Sequence, residues 1–171
     1  MTTINKKVCL LGDFAVGKTS LVRRFVYNMF DDKYISSIGV KVSRKTVQIP
    51  QANAFTSLTM MLWDLAGSER FDQVKSSYIR GTSGAILVCD LTRPETLANL
   101  HIYIEDLQYA SPDARLIIAA NKSDLVNEQQ IALTEVEKIT IRYEASYYLT
   151  SAKTGSGVEN VFRHLARLLL E

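Results

Sequence analysis

Three observations predict an α/β fold built on one mostly parallel sheet. Apolar runs of strand length alternate with helical patterns, the strands are almost uninterruptedly apolar, and two adjacent strand candidates stand together with no helix between them. Continuous apolar strands belong in a sheet covered by helices on both faces, whereas neighbouring strands joined by a short loop pair as an antiparallel hairpin, here at one sheet edge. At 171 residues the chain is expected to form a single domain over residues 1–171.

In chain order, "KKVCLLG" is the first strand and leads into a helix over Lys18 to Asn28. "GVKVSRKTVQI" and "TSLTMMLW" are the hairpin strands, with "PQANAF" as their loop. "GAILVCD" precedes a helix over Glu95 to Ala110, and Pro94 sits where a first helical turn tolerates proline. "ARLIIAA" precedes a helix over Thr134 to Arg142, whose Thr134-x-x-Glu137 has the form of a capping box. "ASYYLT" and a helix over Val158 to Leu170 complete the set.

A formal net charge of +2 with scattered basic residues argues against a nucleic-acid partner. Cys9 and Cys89 each lie in an apolar run, which fits small buried residues with reduced, cytosolic thiols rather than a disulfide or zinc framework. No apolar run approaches the roughly 18 residues of a membrane span. The C-terminus carries no prenylatable cysteine, so peripheral membrane attachment would require a lipidated tail outside this chain.

"GDFAVGKTS", Gly12 to Ser20, has the form G-x-x-x-x-G-K-[ST] after a strand and before a helix, the context of a phosphate-binding loop. The N–H groups of Asp13, Phe14, Ala15, Val16 and Gly17 and of the helix start at Lys18, Thr19 and Ser20 can surround phosphate oxygens. Lys18 adds a point charge, and the Thr19 hydroxyl can ligate Mg²⁺. Asp64, at the end of another strand, supplies an acid to hold that metal through water. Gly67 lets the backbone approach a γ-phosphate closely, although Asp-x-x-Gly alone also describes a turn or helix cap.

The base is read from "NKSD". Asp124 can accept two hydrogen bonds from the N1–H and N2 amino groups of guanine, and adenine would leave the carboxylate unpaired. Asn121 would tether the loops, and the Lys122 stem would lie along the base. "TSAK", Thr150 to Lys153, brings Ser151, Ala152 and Lys153 to the same end of the sheet, with the Ala152 N–H toward guanine O6. All four segments follow the carboxyl ends of predicted strands, where open α/β sheets bind ligands.

With "KYISSIGV", "WDLAGSERF" and "SSYIRGTSGAILVCDLT" in the same order, these motifs resemble the Ras superfamily of small GTPases, closest to the Rab branch, over nearly the whole chain. The resemblance implies a P-loop NTPase three-layer sandwich with a six-stranded sheet and about five helices. It also implies GTP or GDP held with Mg²⁺, and effector and regulator binding, by a monomer, through switch regions 31–42 and 65–80. Carried over by position, Phe30 packs on guanine, Tyr34 lies beside the nucleotide, and Ser37 gives its hydroxyl to Mg²⁺ and its N–H to the γ-phosphate. Val42, Trp63 and Tyr78 would form an apolar effector patch.

Several positions depart from the family pattern. Ser37 stands for the usual threonine and keeps the hydroxyl, while Lys41 and Val42 replace an acid and a phenylalanine. Ser68 replaces the glutamine that orients the attacking water, and its side chain is too short for that role. Phe14 is bulky where many relatives are small, and would crowd an arginine finger. Two functions therefore stand open: a GTP/GDP switch with slow intrinsic hydrolysis, or a hydrolysis-deficient GTP-binding scaffold. The guanine motif argues against an ATP-dependent kinase or ATPase.

Overall fold

A computed structural model describes residues 3–31, 39–52, 54–67 and 72–171. Six strands form one sheet in the order β2-β3-β1-β4-β5-β6. These are β1 (Thr3–Leu11), β2 (Val40–Gln51), β3 (Ala54–Leu65), β4 (Gly84–Asp90), β5 (Arg115–Asn121) and β6 (Ser146–Leu149). Neighbouring strands pair in parallel except β2 with β3, which are antiparallel at the edge. The helices are α1 (Lys18–Tyr27), α2 (Asp72–Ile79), α3 (Pro94–Ala98), α4 (Leu100–Ala110), α5 (Leu133–Arg142) and α6 (Val158–Leu168).

The continuous apolar reading of β4 has a direct cause. Ile86 and Val88 enter the core cluster beneath α1 and α6, while Ala85, Leu87 and Cys89 enter the one beneath α2 to α5. Successive side chains point to opposite faces, so a strand covered twice must be apolar at every position. Phe25 of α1 stacks on Phe162 of α6 with centroids 4.1 Å apart, which closes the first layer. Both cysteines are buried and free, and burial, followed by the negative charge of Asp90, pushes the Cys89 thiol up to about 12. A thiol so protonated is a poor nucleophile.

Three local expectations change. "PQANAF" is not all loop: Pro50 pairs with Phe55 and Gln51 with Ala54, so the strands take in four of its six residues. Proline is tolerated there because β2 is an edge strand, which has a partner on one side only. The helix after β4 is divided at Asn99 into α3 and α4. The helix after β5 begins one residue before Thr134, so Thr134 lies inside it; instead Glu135 Oε2 accepts from the Ala132 N–H at 3.0 Å. The alanine contributes no side-chain acceptor, so only the glutamate half of a capping box is made.

Candidate functional site

The carboxyl ends of β1, β3, β5 and β6 surround a cleft of roughly 280 Å³. Each wall follows from local sequence. After β1 the chain turns at Gly12 with φ of +149°, and a Cβ there would meet Val88 O at 2.3 Å. Gly17, at φ of +103°, precedes α1 as its cap residue without any side-chain cap. The first N–H groups of α1 therefore present an anion-binding terminus. Lys18 folds back over the loop, its Nζ donating to Gly12 O at 2.7 Å and Asp13 O at 2.8 Å. Burial lowers the Lys18 ammonium to about 8 against the opposing pull of Asp64 and Asp13, and a phosphate beside it would favour the charged form.

Across the cleft, the Thr19 hydroxyl donates to Asp64 Oδ2. Asp64 is buried, and its Oδ1 has no hydrogen-bond partner among the described residues. Burial pushes this carboxyl above the usual carboxylate range, although Thr19, Lys18 and Lys41 act to lower it. A hydroxyl beside a buried carboxylate with an uncompensated oxygen is an oxygen donor set suited to Mg²⁺. Gly67 closes this wall: a Cβ would lie 2.6 Å from Asp13 C and Phe14 N and 2.7 Å from Gly12 O.

The loops after β5 and β6 form the other end. Asn121 bridges them, donating from Nδ2 to Val16 O at 2.9 Å and accepting at Oδ1 from the Thr150 hydroxyl at 3.1 Å. Lys122 takes φ of +65° and places its Nζ 2.6 Å from Asp90 Oδ2. The Ser151 hydroxyl donates to Asp124 Oδ1 at 2.7 Å, which orients that carboxylate. From α1, Arg24 secures the last loop by donating to Ala152 O at 2.8 Å and Lys153 O at 2.6 Å.

The structure thus brings Phe14, Ala15, Gly17, Lys18, Thr19 and Ser20 to one cleft with Phe30, Gly67, Asn121, Lys122, Asp124, Ala152 and Lys153. Other expected site residues stand behind that lining. Val16 is buried in the core, Ser151 supports Asp124, and the Asp13 carboxylate accepts from Asn99 Nδ2 and the Tyr103 hydroxyl, each at 2.8 Å. Tyr34, Ser37 and Ser68, with residues 32–38 of region 31–42 and 68–71 of region 65–80, lie outside the described residues.

Sequence reasoning missed the outer supports Arg24, Asp90, Arg93, Asn99 and Tyr103. Only Asp90 carried a local signal, as an acid ending an apolar strand with a threonine two residues on. On the neighbouring surface Val42 pairs across the strands with Trp63, whose ring lies 6.2 Å from that of Tyr78, so these three residues do meet.

Residues 7–171 match the family model described as the Ras family. The chain belongs to the Ras family. It is 35% identical over 162 residues to human Ras-related protein Rab-8B, covering 94% of this chain and 76% of that one. It is 34% identical over 162 residues to bovine Ras-related protein Rab-8A, with the same coverage. To the GTP-binding protein ypt5 of Schizosaccharomyces pombe it is 37% identical over 171 residues, covering 99% of this chain and 80% of that one. It is a Rab-like member of the Ras superfamily of small GTPases, whose members in general bind guanine nucleotides with Mg²⁺ and act as switches. Among the described residues no helix is long and apolar enough to cross a membrane.

Proposed function

We propose that this Ras-family chain is a Rab-like GTP/GDP switch, one G domain over residues 1–171, with slow intrinsic hydrolysis. The observation that carries the reading is the Asn121 bridge to Val16, which joins residues 105 apart in sequence. It ties the loop that leads into Lys18 to the loop that carries Asp124, and both residues line the one cleft, which supports a ligand with a base at one end and phosphates at the other.

In this reading Asp124 pairs with the guanine N1–H and N2 amino groups, Phe30 and the Lys122 stem flank the base, and the Ala152 N–H meets O6. The loop from Asp13 to Gly17 and the helix start through Ser20 hold the phosphates, and Ser151 and Lys153 complete the base loop. The hydroxyls of Thr19 and Ser37 and, through water, Asp64 hold Mg²⁺, which when bound offsets charge on the phosphate oxygens. Gly67 and Tyr34 close on the γ-phosphate side, and regions 31–42 and 65–80 bind effectors and regulators, including through Val42, Trp63 and Tyr78. Lys18 stabilises charge developing on the transferred phosphoryl group. Ser68 leaves the attacking water without the side chain that would orient it.

Phe14, 47% exposed beside the phosphate loop, favours a second reading. There its ring blocks a partner's arginine, and the domain acts as a GTP-bound scaffold.

The test is to extract nucleotide from the purified protein and follow phosphate release from added GTP with Mg²⁺, comparing Ser68→Gln with the parent. The protein is expected to carry guanine nucleotide, and the variant to release phosphate on the order of 100-fold faster, the lower end of what a positioned side chain contributes. Equal rates would overturn the role given to Ser68. A protein that neither carries nor binds guanine nucleotide would overturn the whole assignment.

A further inference from the structure

The outer side of the phosphate loop is held by residues no phosphate motif includes. Arg93, in the turn before α3, donates from Nη2 to Phe14 O at 2.6 Å and from Nε to Asp90 Oδ2 at 3.2 Å. Asp90 is fully buried, and the same carboxylate takes Lys122 Nζ at 2.6 Å and, at Oδ1, the N–H and hydroxyl of Thr92 at 2.9 and 2.7 Å. A chain of charge-assisted contacts therefore runs from Lys122, on the base side, through Asp90 and Arg93 to the Phe14 carbonyl, on the phosphate side.

The Phe14 contact also fixes a direction. In a trans peptide the C=O and the following N–H point opposite ways across one plane. Holding Phe14 C=O outward on Arg93 turns the Ala15 N–H inward, and Ala15 lines the cleft. Ala15 has φ of +61°, a left-handed value that a residue with a Cβ adopts at a cost, so its conformation needs an external hold. Arg93 supplies that hold. Asn121 does the equivalent two residues on, its contact with Val16 O turning the Gly17 N–H.

We propose that Arg93 is a positioning residue that sets how long the nucleotide is retained, by aiming the Ala15 amide at the phosphates and bolting the phosphate loop to the base loop through Asp90. The inference rests on the reading of the cleft as a guanine-nucleotide site. Arginine is needed because its planar fork reaches two acceptors at once, whereas an ammonium is a point charge. The consequence is kinetic: loss of the bridge frees the Phe14–Ala15 peptide to rotate and opens the route by which the nucleotide leaves.

The test uses the full chain loaded with a fluorescent GDP, chased with excess unlabelled GDP. Arg93→Gln and Arg93→Lys should both release it on the order of 10- to 100-fold faster than the parent, because either loses one charge-assisted contact or more. Glu95→Gln is the control. Glu95 reaches Arg93 only at Nη1, 4.0 Å away on the exposed side, while the bridge uses Nε and Nη2, so its variant should release at close to the parent rate. In ³¹P spectra of bound GDP, the β-phosphate resonance should shift in both Arg93 variants and the α resonance should hold, a change that loss of general stability would not produce.

Parent-like release by Arg93→Gln, or full rescue by Arg93→Lys with an unmoved β resonance, overturns the proposal. Failure of the parent itself to take up the labelled GDP would overturn the nucleotide-site reading instead.

Discussion

Two buried aspartates stand at the carboxyl ends of the strands on either side of β1 in almost the same words: Asp64-Leu65-Ala66 at β3 and Asp90-Leu91-Thr92 at β4. Neither side chain reaches water, yet they are opposites. Burial works to raise Asp90, but Lys122 and Thr92 outweigh it and hold its carboxyl below the usual carboxylate range. Burial raises Asp64, and there it prevails over the Thr19 hydrogen bond and the charge of Lys18. One acid is satisfied by the protein, and the other keeps a buried oxygen with no hydrogen-bond partner among the described residues. What separates them is first the Lys122 ammonium on Asp90 and then the residue two positions on: Thr92 folds both donors back onto its acid, and Ala66 has no side-chain donor to offer. A buried acid with its partners supplied is a structural joint, and one lacking them is prepared for a cation.

The largest expected effect follows from removing the satisfied acid. Asp90→Ala leaves Lys122 and Arg93 without their shared counter-charge. It should cost about 2–3 kcal/mol by urea unfolding, below the 3–5 typical of a fully buried pair because both cations are about one-third exposed. Asp64→Asn should do the reverse: the nucleotide-free protein keeps its stability to within about 0.5 kcal/mol, since the amide oxygen can still accept from the Thr19 hydroxyl while the cost of the buried charge is removed. Its cost appears in Mg²⁺-dependent GDP retention, expected to fall roughly 10- to 100-fold in a magnesium titration. If the two variants lost the same stability with and without nucleotide, the contrast would collapse.

The smallest effect is in acid. A carboxyl held below its unfolded value stabilises the fold at every pH above that value, about 4, and the contribution drains away as pH falls through the lower native value. Carboxyl-carbon NMR should therefore show Asp90 titrating below an ordinary aspartate, with urea midpoints starting to fall in the same acid window. An Asp90 that titrates above the ordinary value would remove the distinction drawn here.

The legible part of the site was the part made of contiguous backbone. A phosphate is wrapped by successive N–H groups, so "GDFAVGKTS" states its own geometry, and "NKSD" brings bridge, stem and acceptor within four residues. The alternating elements were equally readable, because covering a strand on both faces imposes an unbroken apolar run. Local errors came where neighbours competed. Thr134 and Glu137 had capping spacing, but the helix started one residue earlier and Glu135 took the role. Pro50 suggested a loop until pairing on one side only made it acceptable in an edge strand.

The sequence by itself determined that strands and helices alternate, that a loop of phosphate-binding form follows β1, and that the Asn-Lys-Ser-Asp run proposed to read guanine follows β5, since each depends on residues adjacent in the chain. Only the tertiary structure decided what stands behind those loops. Arg93 meets Phe14 across 79 residues, Tyr103 meets Asp13 across 90, and Arg24 meets Ala152 across 128. Such contacts leave no spacing to read, because what sets them is the order in which strands enter the sheet. That order, β3-β1-β4-β5, brings α3 and α4 against the phosphate loop and turns an ordinary surface arginine into a support for it.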